Sequence, residues 1–247
     1  MIQRLTIKKV TIVTHFTYTD FLSKFGVGGA HPGGFELTKE IVRTKNITSD
    51  SRILDIGCGT GQTAAYLASE YSAVVTGIDR HPIMVEKAKK RMKKEHLPVE
   101  ILQCSIENVP LQNDTFDFAL AESVLAFVDK PTALNEIFRL LKDGGQLIAI
   151  EFTINKPLDA ATINEIKQFY GFESLLMEQD WIRYFKQAGF TTIQLEPKHP
   201  LNQHDSIPEF DYSQHVEREL YDIMEQHHEI IRKYKDIWDY RVFTCRK

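Results

Sequence analysis

The sequence has few cysteines and no long apolar run. Its three cysteines, at positions 58, 104 and 245, form no CxxC pair and no metal-ligand spacing. We therefore predict neither a disulfide framework nor a metal site, and so sparse and odd a set favours a reducing compartment. No apolar stretch reaches the roughly 18 residues that a membrane span needs, and the N-terminus lacks the apolar core of a signal peptide. A cytoplasmic protein without a membrane partner is expected.

An excess of positive charge is also missing. The 247 residues contain 30 Lys and Arg against 34 Asp and Glu, a net charge of −4. This balance argues against nucleic acid as a partner and favours a small molecule. The dense basic run at positions 87–94 is bracketed by Glu86 and Glu95, which is typical of a solvated helix face.

From Arg52 to Ile150, short apolar runs alternate with segments of helical periodicity. Strands are predicted at 52–56, 73–78, 99–103, 116–121 and 146–150, and helices at 60–71, 81–96 and 134–141. The alternation predicts an α/β fold, in which helices cover both faces of a parallel sheet. Ligands of such sheets bind beyond the carboxyl ends of the strands, where the strand order reverses.

The rest of the chain is less regular. Glycine and proline interrupt regular structure in residues 25–34, and a short helix is expected at 35–43. Further helices are predicted at 160–178 and 179–188, strands at 190–196 and 240–245, and a polar loop at 198–208. The segment 212–238 is predicted to form one long amphipathic helix or two shorter ones. The apolar face of the segment 212–238 could line a pocket, pack on the sheet or form a homodimer contact. Its aromatic residues are Tyr212, Tyr221, Tyr234 and Trp238.

The strongest chemical signal, Asp55–Gly61, follows the first predicted strand. Glycines at 57, 59 and 61 allow a tight turn and let a ligand approach the backbone. The helix that begins near Thr60 directs unpaired N–H groups toward the same place. Asp55 would repel a pyrophosphate but suits a ligand with positive charge. The spacing G-x-G-x-G also differs from that of dinucleotide sites, since position 62 is Gln. A glycine-rich turn without a ligand is the alternative.

A second acid, Asp79, ends the second predicted strand. Its carboxylate can accept hydrogen bonds from both hydroxyls of a ribose. Capping of the following helix is the alternative role. The neighbouring Arg80 is expected either at the surface or in contact with the ribose or adenine.

Four segments together resemble the class I S-adenosylmethionine-dependent methyltransferases, in particular those with a methyltransferase type 11-like domain. Ile53–Gln62 is similar to the first motif of this family and Val75–Asp79 to its ribose-binding strand end. Cys104–Phe118 resembles its third and fourth strand region, and Leu140–Leu147 resembles its turn into strand five. The resemblance implies a Rossmann-like sheet of seven mostly parallel strands. Residues 240–245 could supply the last strand, which is antiparallel in this family.

The resemblance further implies how the cofactor, S-adenosylmethionine, is held. Asp55, Gly57 and Gly59 would surround its methionine part, and Asp79 would hold the ribose hydroxyls. Ala121 and Glu122 would lie close to the sulfonium and the substrate. The other residues expected at the cofactor are Cys58, Thr60, Gly61, Arg80, Ser105 and Ile106.

Two residues are candidates for catalysis. Glu122 follows a fully apolar run, so it is expected to contact cofactor, substrate or a proton in transit, unless it only caps nearby N–H groups. His31 lies in a His-Pro-Gly-Gly segment before a helix and could act as a general base, since imidazole titrates near neutrality. A turn histidine without a role is the alternative.

The expected organisation has three parts. Residues 1–50 form an N-terminal segment that covers the cofactor cleft, residues 51–197 and 239–247 form the methyltransferase core, and residues 198–238 form a helical insertion that covers the substrate. The predicted function is methyl transfer to an unidentified small molecule. A non-catalytic S-adenosylmethionine-binding module is one alternative, favoured slightly by Ser105 and Phe127, where relatives carry Asp and His. An NAD(P)-dependent dehydrogenase is the other, against which the glycine spacing and Asp55 count.

Overall fold

A computed structural model describes residues 16–197 and 208–247. The strands found there are β1 (Val27–Gly28), β2 (Arg52–Ile56), β3 (Val74–Asp79), β4 (Glu100–Gln103), β5 (Phe116–Glu122), β6 (Leu141–Ile154), β7 (Thr192–Leu195), β8 (Glu209–Phe210) and β9 (Trp238–Arg246). The helices are α1 (Tyr18–Phe25), α2 (Gly34–Arg43), α3 (Gln62–Tyr71), α4 (Pro82–Glu95), α5 (Lys130–Leu140), α6 (Ala160–Tyr170), α7 (Glu178–Gln187) and α8 (Glu219–Lys233). A short 3-10 turn, Leu125–Phe127, follows β5.

Seven strands form one sheet in the order β4-β3-β2-β5-β6-β9-β7. The pairs from β4 to β6 are parallel, and β9 lies antiparallel to both of its neighbours. The prediction of a seven-stranded, mostly parallel sheet with an antiparallel last strand is confirmed. The strand order reverses between β2 and β5, so residues after these two strands lie where ligands of open sheets bind.

Helices cover both faces of the sheet because the inner strands are buried on both. Phe118 and Leu120 of β5 pack into one core with α2, α3 and α4. Ala119 and Ala121, which alternate with them, pack into a second core with α5 and α7. Successive side chains of a strand point to opposite faces, so an uninterrupted apolar run is what a doubly covered strand requires.

Several element boundaries differ from the predictions. The helix predicted at 160–178 ends at Tyr170, because Gly171 adopts a left-handed conformation (φ 76°) that stops it. The helix predicted at 212–238 is confined to α8. The strand predicted at 146–150 is longer, because β6 spans Leu141–Ile154 and pairs with β9 along its second half.

Helix α1 was not predicted, although its start has a local signature. The Thr17 side chain accepts from the Asp20 N–H (3.1 Å) and the Asp20 carboxylate accepts from the Thr17 N–H (2.8 Å), which is a capping box. Helices α1 and α8 share a small core formed by Phe21, Phe25 and Leu220. Strands β1 and β8 join the same two parts of the chain as a short antiparallel ribbon. The predicted loop 198–208 and the first 15 residues fall, apart from Pro208, outside the described residues.

Candidate functional site

A cavity opens at the carboxyl edge of the sheet, where β2, β3, β4 and β5 end. Most of the residues predicted for the site line it, and they come from separate parts of the chain. They are His31, Gly57, Cys58, Gly59, Thr60, Asp79, Arg80, Ser105, Ile106 and Glu122. The helical insertion contributes as well, through His227, Ile231 and Trp238.

The glycine loop after β2 takes the conformation that the sequence predicts. Gly57, Gly59 and Gly61 all have positive φ (65°, 54° and 77°), which side chains with a Cβ rarely adopt. Apart from Gly59 itself and its two chain neighbours, no described residue has an atom within 4 Å of the position that a Cβ of Gly59 would occupy. The loop therefore leaves open space beside its own backbone, and the first turn of α3 begins directly after it, at Gln62.

Asp79 is fixed in place by backbone N–H groups. Its Oδ2 accepts from Gly59 N (2.9 Å) and its Oδ1 accepts from His81 N (2.7 Å). Burial raises the pKa of Asp79 above its ordinary value, and the hydrogen bonds from His81 and Gly59 oppose that rise. The side chain of His81, the N-cap residue of α4, caps no N–H group of that helix. Because each carboxylate oxygen has two acceptor positions, Asp79 can still accept from a ligand.

Three predicted residues, Asp55, Gly61 and Ala121, do not line the cavity. Asp55 is 1% exposed, beneath the loop, and burial, with Glu122 and Asp79 nearby, raises its pKa well above the usual range. A Cβ on Gly61 would face Met92 of α4 at 2.7 Å, so this glycine serves helix packing. Ala121 is fully buried in the core on the α5 side.

Glu122 and His31, the two candidates for catalysis, meet in the cavity. His31 Nε2 lies 3.8 Å from Glu122 Oε1. The Thr38 hydroxyl donates to Glu122 Oε1 and is 3.2 Å from His31 Nε2. The Thr63 hydroxyl donates to Glu122 Oε2 at 2.8 Å. Both carboxylate oxygens are thus held by a threonine, and His31 has access to the same hydroxyl as Glu122.

The far side of the cavity, beyond β5 and β6, is made of rings. Tyr170 stacks on Phe172 at 4.9 Å between centroids, Tyr18 meets the edge of Tyr170 at 4.8 Å, and Phe152 lies 5.7 Å from Trp238. We call this part the aromatic end, formed by Tyr18, Phe127, Phe152, Tyr170, Phe172, His227 and Trp238.

Most residues of the aromatic end lie in the variable segments 1–36, 153–180 and 198–238, from which the sequence predicts the substrate side, but few of them were singled out. Of the four aromatic residues of the insertion that were considered for a pocket, Trp238 lines the cavity, whereas Tyr212 and Tyr221 are exposed. Tyr234 donates instead to Glu165 (2.7 Å). No local signal marks Phe152 or Tyr170, since an aromatic residue at the end of a strand or helix is more often part of a core.

Among residues 16–197 and 208–247, no group of three or more His, Cys, Asp or Glu side chains could hold a metal ion. Within the same ranges, no helix combines the length and the apolar character needed to cross a membrane.

Comparison with known proteins identifies the family. A model of the methyltransferase domain matches residues 54–149. An uncharacterized methyltransferase of Bacillus subtilis (strain 168), YodH, is 37% identical over 231 residues, which cover 93% of this chain and 99% of that protein. The chain belongs to the class I S-adenosylmethionine-dependent methyltransferases. This membership supports methyl transfer over the dehydrogenase alternative.

More distant relatives share part of the chain or only the fold. Phosphoethanolamine N-methyltransferase 1 of Arabidopsis thaliana is 29% identical over 177 residues, and the match covers 70% of this methyltransferase but only 35% of the plant protein. The solved structure of Haemonchus contortus phosphoethanolamine N-methyltransferase 2 in complex with S-adenosyl-L-methionine superimposes with a TM-score of 0.76 at 21% identity. It covers 95% of this chain and 58% of that one. Such a likeness shows a common fold.

Proposed function

We propose that this methyltransferase transfers the methyl group of S-adenosylmethionine to a small molecule held at the aromatic end. The observation that carries the proposal is that one cavity contains both parts of the site. The glycine loop and Asp79 lie on one side of Glu122, and the rings lie on the other. In the sheet, β3 and β6 are three strand spacings apart, roughly 14 Å at the usual 4.8 Å per strand. Such a span has room for a nucleoside cofactor and an acceptor side by side.

The described residues fit the cofactor. The open space beside Gly59 and the N–H groups at the start of α3 suit the methionine part, and Asp79 is positioned to accept from the ribose hydroxyls. Ser105 and Ile106, after β4, would flank the adenine. The Ser105 hydroxyl already donates to Glu107 (2.9 Å), so its oxygen would serve the adenine as an acceptor. Asp55, Gly61 and Ala121 would act on the cofactor only through the loop and core that they support.

When bound, S-adenosylmethionine supplies an electrophilic methyl group on a positively charged sulfur. Glu122 provides negative charge between the cofactor side and the acceptor side, and the two threonines hold its carboxylate in one orientation. His31 is within reach of the Thr38 hydroxyl that donates to Glu122. His31 and Glu122 together can take a proton from a methyl acceptor that arrives protonated. The remaining task of the protein is alignment and exclusion of water.

Two segments are proposed to cover the cavity. Residues 1–50 would cover the cofactor cleft, since Tyr18, Gly28 and His31 line the cavity. The insertion 198–238 would cover the substrate through His227, Ile231 and Trp238. Arg91 of α4 connects cover and loop, because it donates to the Thr60 carbonyl (2.9 Å) and pairs with Glu209 of β8 (2.7 Å).

A cytoplasmic location is also part of the proposal, because all three cysteines are free thiols, which suits a reducing compartment. A homodimer, and the exclusion of nucleic acid that the net charge of −4 predicts, stay predictions.

Titration calorimetry with S-adenosylhomocysteine tests the cofactor site. We expect micromolar binding by the parent and at least tenfold weaker binding (~1.4 kcal/mol) by Asp79→Ala and by Gly57→Val. A Cβ at position 57 would lie 2.5 Å from Val124 Cγ2, so valine displaces the turn that borders the cavity. Urea unfolding of each variant separates loss of the site from loss of the fold. Unchanged binding in both variants would remove the site assignment.

A further inference from the structure

The aromatic end carries no formal charge at neutral pH. Burial lowers the pKa of His227 to about 4, with His228 adding to the effect, so its imidazole is neutral. Burial raises the pKa of Tyr18 and of Tyr170 above the ordinary phenol value, so both keep their protons. The Tyr170 hydroxyl and His227 Nδ1 lie 3.0 Å apart and satisfy each other.

The charged side chains that line the cavity follow the strands at the sheet edge: Asp79 and the exposed Arg80 follow β3, and Glu122 follows β5. In the described part of the chain, Arg80 is the one Lys or Arg side chain in the cavity lining. Arg80 also borders a neighbouring pocket that Tyr18, Phe127 and Tyr170 line, and it shares that pocket with the carboxylates of Glu165 and Glu229. A phosphate or carboxylate in the aromatic end would therefore lose its hydration and gain little compensation from this one exposed cation.

The rings also offer a specific packing geometry. They come from six elements and the loop after α6, and they meet edge-on, as Phe127 and Phe172 do at 4.9 Å, or stacked, as Tyr170 and Phe172 do. Ring faces and edges of this kind pack favourably against another flat ring. A chain of methylenes would fill such a space less well.

We propose that the acceptor of this methyltransferase is a neutral molecule with a planar ring, which the aromatic end holds by ring packing. This inference rests on the proposed function, since it assigns the chemistry of the acceptor side of the same cavity. It also implies that likeness to phosphoethanolamine N-methyltransferases does not extend to their named substrate, a small phosphate ester without a ring.

Three probes test the proposal by calorimetry in the presence of saturating S-adenosylhomocysteine. They are 2-naphthol (neutral and planar), phenyltrimethylammonium (a cationic ring) and phosphoethanolamine. We expect 2-naphthol to bind at least tenfold more tightly than either of the others. Tighter binding of the ammonium probe would show that the rings form a cation site, and tighter binding of phosphoethanolamine would show an anion site; either result overturns the proposal. So does absence of 2-naphthol binding while S-adenosylhomocysteine still binds.

Two ring deletions give a second, independent readout. Phe127 and Phe152 are only half-buried, so Phe127→Leu and Phe152→Leu keep an apolar side chain with little threat to the fold. We expect each variant to bind 2-naphthol at least threefold more weakly than the parent and to bind S-adenosylhomocysteine with an affinity within twofold of the parent. Tyr212→Ala, an exposed aromatic outside the cavity, is the control and should change neither. If both ligands weaken equally, the rings do not form a separate acceptor site. If S-adenosylhomocysteine fails to bind the parent, the proposed function itself is wrong.

Discussion

The backbone N–H of Gly59 donates a hydrogen bond to Asp79 Oδ2 over 2.9 Å. The loop after β2 and the acid after β3 are therefore one unit, although 20 residues separate them in sequence. The bond orients the carboxylate and leaves the open side of Gly59 toward the cavity. A change at either residue should act on the ligand site more than on the sheet beneath it.

Gly59→Ala tests this relationship. Alanine at φ 54° is strained by about 1–2 kcal/mol, and its methyl group would occupy the open space beside the loop. We expect the variant to lose roughly that free energy of unfolding and to bind S-adenosylhomocysteine at least tenfold more weakly. Urea unfolding and calorimetry measure the two effects.

Gly144→Ala is the matched control for that change. Gly144 has a comparable φ of 77°, and a Cβ there would meet only the Arg246 side chain, at an ordinary 3.6 Å. Since Gly144 lies outside the cavity lining, its variant should show a similar loss of stability and unchanged ligand binding. Equal weakening of the ligand in both variants would mean that strain, and not occupancy of the cavity, causes the effect.

Thr38 is predicted to be a positioning residue for Glu122 and His31. It is 1% exposed, and its hydroxyl contacts both groups. Thr38→Val removes that hydroxyl at equal size and leaves buried polar atoms without this partner, so we expect a loss of about 1–3 kcal/mol of unfolding free energy. Thr38→Ser keeps the hydroxyl and should lose less than about 1 kcal/mol.

The same pair of variants separates positioning from simple stability. With a molecule that the enzyme methylates, we expect kcat of Thr38→Val to fall about tenfold and its pH profile to change. This is less than the roughly hundredfold or more that an acid–base group itself contributes, because Thr38 only positions such groups. KM for S-adenosylmethionine should stay within twofold, and Thr38→Ser should restore both kcat and the profile. A serine variant as slow as the valine variant would argue against a role for the hydroxyl.

Glu151 should make stability fall as pH rises. It is fully buried in β6, and its Oε1 accepts from the N–H groups of Val124 (3.2 Å) and Leu125 (3.0 Å), at the turn that borders the cavity. Burial raises the pKa of Glu151 to about 8. Between the unfolded value of about 4.3 and 8, the unfolded chain releases a proton that the folded chain keeps, so stability is present at low pH and decreases by up to about 1.4 kcal/mol per pH unit.

Glu151→Gln keeps an acceptor for both N–H groups but cannot ionise. We therefore expect the unfolding free energy of the variant, relative to that of the parent, to be larger at pH 8 than at pH 5 by about 3–4 kcal/mol. Urea unfolding at the two pH values measures the difference. The exposed Glu225→Gln serves as control and should shift by less than about 0.5 kcal/mol. An equal difference at both pH values would contradict a raised pKa for Glu151.

Most elements from Arg52 to Ile150 could be predicted because they leave a local trace, whereas the 3-10 turn Leu125–Phe127 and the first part of β6 were not predicted. An apolar run buried on both faces reads as a strand, and glycines at fixed spacing read as a turn with positive φ, as found at Gly57 and Gly59. An element end that depends on one residue was harder to predict. The prediction of one helix over 160–178 overlooked Gly171, whose left-handed conformation ends α6.

Asp55 shows where local reasoning about the site stops. The sequence places Asp55 next to the glycine loop, but it does not show whether the side chain reaches the cavity. The carboxylate lies under the loop, with one oxygen buried and without a hydrogen-bond partner among the described residues. Alternation along β2 sets which face of the sheet Asp55 is on, whereas its depth of burial depends on packing of the whole sheet and has no local signature.

The sequence by itself determined the α/β core, the glycine loop and the acid after β3, because short-range periodicity and backbone freedom are properties of neighbouring residues. Only the tertiary structure decided that Thr38, Thr63 and His31 surround Glu122, and that six elements and the loop after α6 bring seven rings together. Those contacts join residues 59 to 91 positions apart at Glu122, and Tyr18 with His227 at the aromatic end. They form when burial of many side chains at once determines how the elements pack, so no local pattern records them.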